Sequence, residues 1–230
     1  MLEISNLYKS FGNLKVIDNL NISFSSNKIH CIFGPSGCGK STLVNIIAGT
    51  MDYDKGSING MVGKRISYVF QEDRLLPWAT IDENMMFVLE SGFEKSRGQQ
   101  TIDKYLSLVD LLKFKNHYPE ELSGGMKQRV SIARAFAFRG DILVMDEPFK
   151  GLHLEIKKDI MDYILKEWNK DDKIIFFITH DMEEALYLSD YIYIFNGPPL
   201  KLKRKIDIDI PHLEREESKV KLRAKVNDYI

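Results

Sequence analysis

A nine-residue loop, Gly34-Pro35-Ser36-Gly37-Cys38-Gly39-Lys40-Ser41-Thr42, constrains this chain more than any other stretch. It fits the pattern G-x-x-x-x-G-K-[ST], in which glycines let the backbone wrap closely so that its N–H groups face phosphate oxygens. The apolar run Ile29 to Phe33 precedes it, and Lys40 to Gly49 follows with helical spacing and a glycine stop. Strand, loop and helix in that order form a phosphate cradle, to which the helix adds its positive N-terminal end. Lys40 is expected to reach the β- and γ-phosphates of a nucleotide and the Ser41 hydroxyl to ligate Mg²⁺.

A second apolar run places acid beside this cradle. Ile142-Leu143-Val144-Met145 ends in Asp146-Glu147. A buried strand delivers such carboxylates to the carboxyl edge of a parallel sheet, where ligands of open α/β sheets sit. Asp146 can hold Mg²⁺ through water. Glu147, one residue on, points differently and can polarise an attacking water as general base.

The rest of the pattern surrounds these two runs. Leu2 to Leu7 and Val16 to Phe24 read as strands joined by a turn near Gly12-Asn13, the second alternating like a half-buried antiparallel strand. Ile66 to Phe70 is another short buried run. From Ile81 to about Arg139 the pattern is helical. Glu155 to Lys170 predicts an amphipathic helix with Ile156, Ile160, Tyr163, Ile164 and Trp168 on one face. Ile174 to Ile178 predicts a strand, Asp181 to Ser189 a helix, and Tyr191 to Phe195 and Lys201 to Ile210 closing strands. The order is β-rich, then α/β, then helical, then α/β again, which fits a parallel sheet flanked by helices.

Composition narrows the setting. In 230 residues the formal net charge is −1, with no basic surplus of the kind that nucleic-acid binding favours, and no nucleic-acid partner is expected. Cys31 and Cys38 have neither disulfide framework nor metal-ligand spacing, as expected of a reduced, cytoplasmic chain. Met1 to Ser10 has no charged-then-apolar leader, and no stretch approaches the ~20 apolar residues that span a bilayer. Action at a membrane would go through a partner.

The stretch Leu122-Ser123-Gly124-Gly125-Met126-Lys127-Gln128-Arg129 carries a family resemblance. A serine and two glycines opening a helix make a second anion-binding N-terminus. The segment resembles the LSGGQ signature of ABC ATPases and, as in that family, lies shortly before the Asp146 strand. The resemblance implies an α/β fold: a P-loop NTPase (ABC ATPase) core with an N-terminal antiparallel β lobe and an inserted α-helical subdomain. Residues 1–80 and 140–210 would form lobe and core, 81–139 the helical subdomain, and 211–230 a short tail, charged and helical or frayed. It implies ATP held between the phosphate loop of one copy and Ser123, Gly124 and Gly125 of a second. By the same resemblance Phe11 looks like the aromatic that stacks on adenine. Gln71 looks like the glutamine that senses Mg²⁺ and the attacking water, and His180 like the switch histidine at the γ-phosphate.

Two departures from the family pattern stand out. Met126 replaces the usual glutamine, a mild change. In Phe149-Lys150-Gly151-Leu152-His153, His153 stands where the family has an aspartate that makes contacts across the dimer. An imidazole cannot copy a carboxylate acceptor, so communication between the two ATP sites is expected to be altered. Cys38, at a helix N-terminus, is expected to have a lowered pKa, so that alkylation blocks ATPase activity and bound ATP protects.

The run Gln71-Glu-Asp-Arg-Leu-Leu-Pro-Trp78 resembles the nitrate, sulfonate and taurine importer group, which also includes transporters of thiamine-pyrimidine precursors. Leu75, Leu76, Pro77 and Trp78 either contact a multi-span permease or pack the helical lobe. Importers of this group also work with an extracellular or periplasmic solute-binding protein. An exporter subunit remains an alternative, as does a soluble ABC ATPase of DNA repair or iron–sulfur assembly. DNA-repair relatives usually split their halves with a long coiled coil, and no sustained heptads lie between Lys40 and Asp146.

Overall fold

The computed structural model describes residues 1–89, 95–167 and 173–215. Strands β1 (Leu2–Phe11) and β2 (Leu14–Phe24) form a hairpin, and β4 (Lys55–Asn59) joins it in a three-stranded antiparallel sheet ordered β2-β1-β4. The second sheet contains β3 (Lys28–Phe33), β5 (Ile66–Val69), β6 (Ile142–Asp146), β7 (Ile174–Ile178), β8 (Tyr191–Asn196) and β9 (Lys201–Asp207). Its order is β5-β6-β7-β3-β8-β9, parallel except for the antiparallel edge strand β9.

The central strands read as unbroken apolar runs because both of their faces are covered. Leu143 and Met145 of β6, with Ile175 and Phe177 of β7, face one core. That core is filled by α2 (Ile81–Phe87), α3 (Lys95–Leu108), α4 (Gly124–Phe138), α5 (Leu154–Glu167) and α6 (Met182–Leu188). Their neighbours Ile142, Val144, Ile174, Phe176 and Ile178 face a second core, closed by the β1–β2 hairpin and by α1 (Lys40–Ile47).

Most boundaries follow the expected pattern. No strand occurs among the described residues of 81–139. A Thr80–Glu83 capping box starts α2, and the Asp181 side chain caps α6. Ile156, Ile160, Tyr163 and Ile164 face the helical core from α5 as expected. Trp168 and the helix end expected at Lys170 lie outside the described residues, as does the tail beyond Arg215. The closing strand expected to Ile210 stops at Asp207.

One element differs outright. β4 carries a single apolar residue, Ile58, in Lys-Gly-Ser-Ile-Asn, so it has no periodic signal of its own. Pairing with β1 makes it a strand, with Ile4 opposite Ile58 and Ser5 opposite Ser57.

Candidate active site

The phosphate loop joins β3 to α1 at the carboxyl edge of the parallel sheet. Gly39 precedes the helix at φ 109°, in the left-handed region, and a Cβ there would lie 2.9 Å from Val16 Cγ1 of the hairpin. Gly34 is tighter still: a Cβ would lie 2.4 Å from the Phe195 carbonyl oxygen. Only glycine fits either position. The Lys40 ammonium turns back into the loop and donates to the carbonyls of Gly34 (2.8 Å) and Pro35 (2.7 Å). Pro35 has no N–H to offer, so the loop's donors come from Ser36, Gly37, Cys38 and the residues that follow.

The Cys38 thiol is directed inward and is fully buried in the second core. The expected ready alkylation is therefore corrected. This side chain has no solvent-exposed surface in the folded chain, because the wrap that exposes the loop's N–H groups sends it underneath.

Asp146 ends β6 beside that loop and is 5% exposed. Burial raises its pKa above the usual carboxylate range, and the charge of Glu147 adds to this; a hydrogen bond with Ser41 and the charge of Lys40 act the other way. A buried carboxylate paired with a hydroxyl at a phosphate cradle is an oxygen donor set that fits Mg²⁺. Among the described residues no cluster of three or more His, Cys, Asp or Glu side chains could hold a metal on its own, so phosphate oxygens or water would complete the sphere.

Glu147 and His180 are far apart in sequence and meet because β6 and β7 are neighbours in parallel register, Asp146 opposite Ile178. His180 Nδ1 lies 3.4 Å from Glu147 Oε1. Its ring is 70% exposed, open to a ligand on the other side. Gln71, just past β5, lines an open cleft of about 470 Å³ with Glu147, Lys150, Gly124 and Gln128. Ser123 caps α4 by accepting the Met126 N–H (3.3 Å), and a Cβ on Gly125 would lie 3.2 Å from the Gly151 carbonyl oxygen. No residue of 34–42 lines that cleft. One chain thus brings together two groups, Lys40–Ser41–Asp146 and Gln71–Glu147–His180, with Gly124 of the signature run in the same cleft as Gln71 and Glu147. Phe11, 48% exposed, ends the strand whose partner β2 carries Val16 against Gly39.

Several positioning residues are not evident from motifs. Arg134 of α4 donates to the carbonyls of Asp73 (3.0 Å) and Arg74 (3.1 Å), and buried Asn84 of α2 donates to those of Leu76, Ala79 and Thr80. The loop after Gln71 is thereby pinned to two helices. Lys157 of α5 pairs with Asp181 (3.0 Å) and Glu184 (2.5 Å), and Thr179 donates to Glu184, so the helix after His153 grips both sides of His180. Burial alone would lower the Lys157 pKa, but its two carboxylate partners hold it above the ordinary value. Nothing in the local sequence marks either Arg134 or Lys157.

Leu75 packs into the helical core, whereas Trp78 stays 74% exposed. Phe70, Leu76, Phe87, Arg74 and Phe138 line a groove of about 410 Å³.

Phosphate loop, strand-end carboxylates and a glycine-led helix on a parallel sheet define a nucleotide-hydrolysing cassette. Residues 17–150 match the family described as "ABC transporter", and the chain belongs to that family as an ABC ATPase. It is 39% identical over 221 residues to an uncharacterized ABC transporter ATP-binding protein of Methanocaldococcus jannaschii, covering 91% of this chain and 82% of that one. It is 36% identical to the taurine import ATP-binding protein TauB of Escherichia coli O157:H7, over 91% of this chain and 85% of the relative. It is 37% identical to the nitrate import ATP-binding protein NrtD of Synechocystis, over 91% and 83%. Among solved structures, a dimeric ABC transporter cassette, MJ0796, superposes with TM-score 0.81 at 27% identity, covering 92% of this chain and all of the other. The same cassette in a post-hydrolysis state bound to ADP and Pi gives 0.80 at 28%, with the same coverage.

Proposed function

We propose that this chain is the ATP-hydrolysing subunit of an ABC importer, acting as a dimer of itself on the cytoplasmic face of a membrane beneath a multi-span permease. The observation that carries the dimer is the cleft beside Gly124 at the start of α4, which no residue of this chain's own phosphate loop lines. A second copy supplies that loop, and the similar cassette MJ0796 is dimeric.

Each site then works as follows. Loop N–H groups from Ser36 to Thr42 and the Lys40 ammonium hold the phosphates, Phe11 stacks on the adenine, and Ser123, Gly124 and Gly125 of the other copy close over the γ-phosphate. Ser41, Asp146 and Gln71 would hold Mg²⁺, which offsets phosphate charge. A water attacks the γ-phosphorus and passes its proton to Glu147. The bond to the bridging oxygen breaks, and ADP leaves with the electron pair. His180, on the far side of Glu147, contacts the γ-phosphate and keeps the carboxylate in place.

Taurine and nitrate importers among the relatives support uptake over export, and the small-anion or pyrimidine-precursor class follows the resemblance of residues 71–78. The groove lined by Phe70, Leu76, Phe87 and Phe138, together with the exposed Trp78, supports permease docking. His153, exposed just before α5, supports weaker coupling between the two ATP sites.

The test is purification of the tagged chain from native membranes in mild detergent under ATP-trapping conditions. Recovery of a permease with a solute-binding protein nearby is expected. A permease that needs no binding protein would mean export. Soluble partners or nucleic acid alone would overturn transport.

A further inference from the structure

Glu147 has both carboxylate oxygens engaged, from two directions. His180 Nδ1 lies 3.4 Å from Oε1, and Lys150 Nζ lies 3.4 Å from Oε2. The chain's own turn brings Lys150 back: its N–H donates to the Glu147 carbonyl (3.3 Å), and Glu147 sits at φ 48°, in the left-handed region. The lysine side chain is 65% exposed, against 18% for the glutamate. It lines both clefts that flank Glu147, one with Gln71 and Gly124, the other with His180 and Thr179.

A carboxylate takes a proton from water only through an oxygen lone pair that can face that water. Each oxygen keeps a second lone pair, but a water that approaches Oε2 from the side of the Lys150 ammonium must displace it. His180 is the buttress, fixed through the Thr179–Glu184–Lys157 network behind it. Lys150 is the partner that can give way, because an exposed lysine pair is weak and readily exchanged.

We propose that Lys150 is a positioning residue that latches Oε2 of Glu147 and slows hydrolysis until a stronger anion draws its ammonium away. The triphosphate of bound ATP competes for the ammonium without capturing it fully, so the pair still slows turnover at saturating ATP, and the two clefts give the lysine room to swing. The inference rests on Glu147 being the general base.

The experiment measures steady-state MgATP hydrolysis by the full chain and by Lys150→Ala, Lys150→Arg and Glu147→Gln. Lys150→Ala raises kcat roughly two- to five-fold, the scale of one exposed ion pair, with KM unchanged. Lys150→Arg, which keeps the charge, keeps the wild-type rate. Added salt screens the pair, so it raises wild-type kcat toward that of Lys150→Ala and leaves the variant flat. Equal thermal midpoints for wild type and Lys150→Ala exclude a folding effect. A Lys150→Ala kcat at or below wild type, or Lys150→Arg behaving like alanine, overturns the latch. Full activity in Glu147→Gln removes the general-base reading and the latch with it. An inactive Glu147→Gln alongside an unchanged Lys150→Ala sinks the latch alone.

Discussion

His30 lies in β3, four residues before the phosphate loop, and is fully buried. Its ring stacks on Phe176 and Tyr191 and meets the edge of Phe24, and Nε2 lies 2.9 Å from the Ser25 carbonyl, to which it donates. Burial lowers its pKa from 6.5 to about 4; the Ser25 bond and Asp190 act upward, while Lys205 and Lys28 act downward. The folded chain therefore holds this imidazole neutral where the unfolded chain protonates it. Stability is complete above pH 6.5 and is lost as pH falls toward 4. The full loss is 2.5 pKa units at 1.36 kcal/mol each, or ~3 kcal/mol, and ~2 kcal/mol of it is gone by pH 5. His30→Phe keeps an aromatic ring in an aromatic cage and cannot titrate. It gives up one hydrogen bond to an exposed residue's carbonyl, about 1 kcal/mol, at any pH. Urea unfolding followed by circular dichroism at pH 7.5 and pH 5.0 measures both chains. Charges shared by the two proteins, including Asp190, Lys28 and Lys205, cancel in the comparison. Wild type is expected to lose ~2 kcal/mol more than the variant between the two pH values. Parallel losses, within about 0.5 kcal/mol, would falsify the claim that this histidine is buried neutral.

Three further outcomes are expected. Glu147→Gln should lower kcat by roughly 10²- to 10⁴-fold while leaving nucleotide affinity within a few-fold, measured by single-turnover hydrolysis and equilibrium binding; loss of binding with retained turnover contradicts its role. Phe11→Ala should weaken nucleotide binding about five-fold, near 1 kcal/mol of stacking, without changing the melting temperature of the free chain; an unchanged Kd rules out an adenine platform there. His153→Asp puts a favoured capping residue before α5 and should stabilise the chain by about 0.5–1 kcal/mol by urea unfolding. It should also change the rate and cooperativity of hydrolysis, and identical values for both would end the idea that His153 alters communication between sites.

Order along the chain was enough for the parts of this protein that are local. The phosphate loop is one contiguous run, Gly34 to Thr42, between an apolar strand and a helix, so its residues announce it. Strands β6 and β7 are unbroken apolar runs because both faces are covered, and that cover is written in their composition. Where a position depends on who its neighbour is, the sequence was silent. Strand β4 exists through β1. The inward turn of Cys38 follows from the wrap of the loop against the hairpin, so reactivity read from its helix-terminal position was misleading. Glu147 and His180 were each legible from their strands, but their contact, and the hold of Lys150 on the same carboxylate, needed the register of Asp146 against Ile178. The clamps from Arg134 and Lys157 are likewise decided by packing of elements distant in sequence, because a hydrogen bond has a reach of about 3 Å and nothing local encodes which carbonyl comes within it.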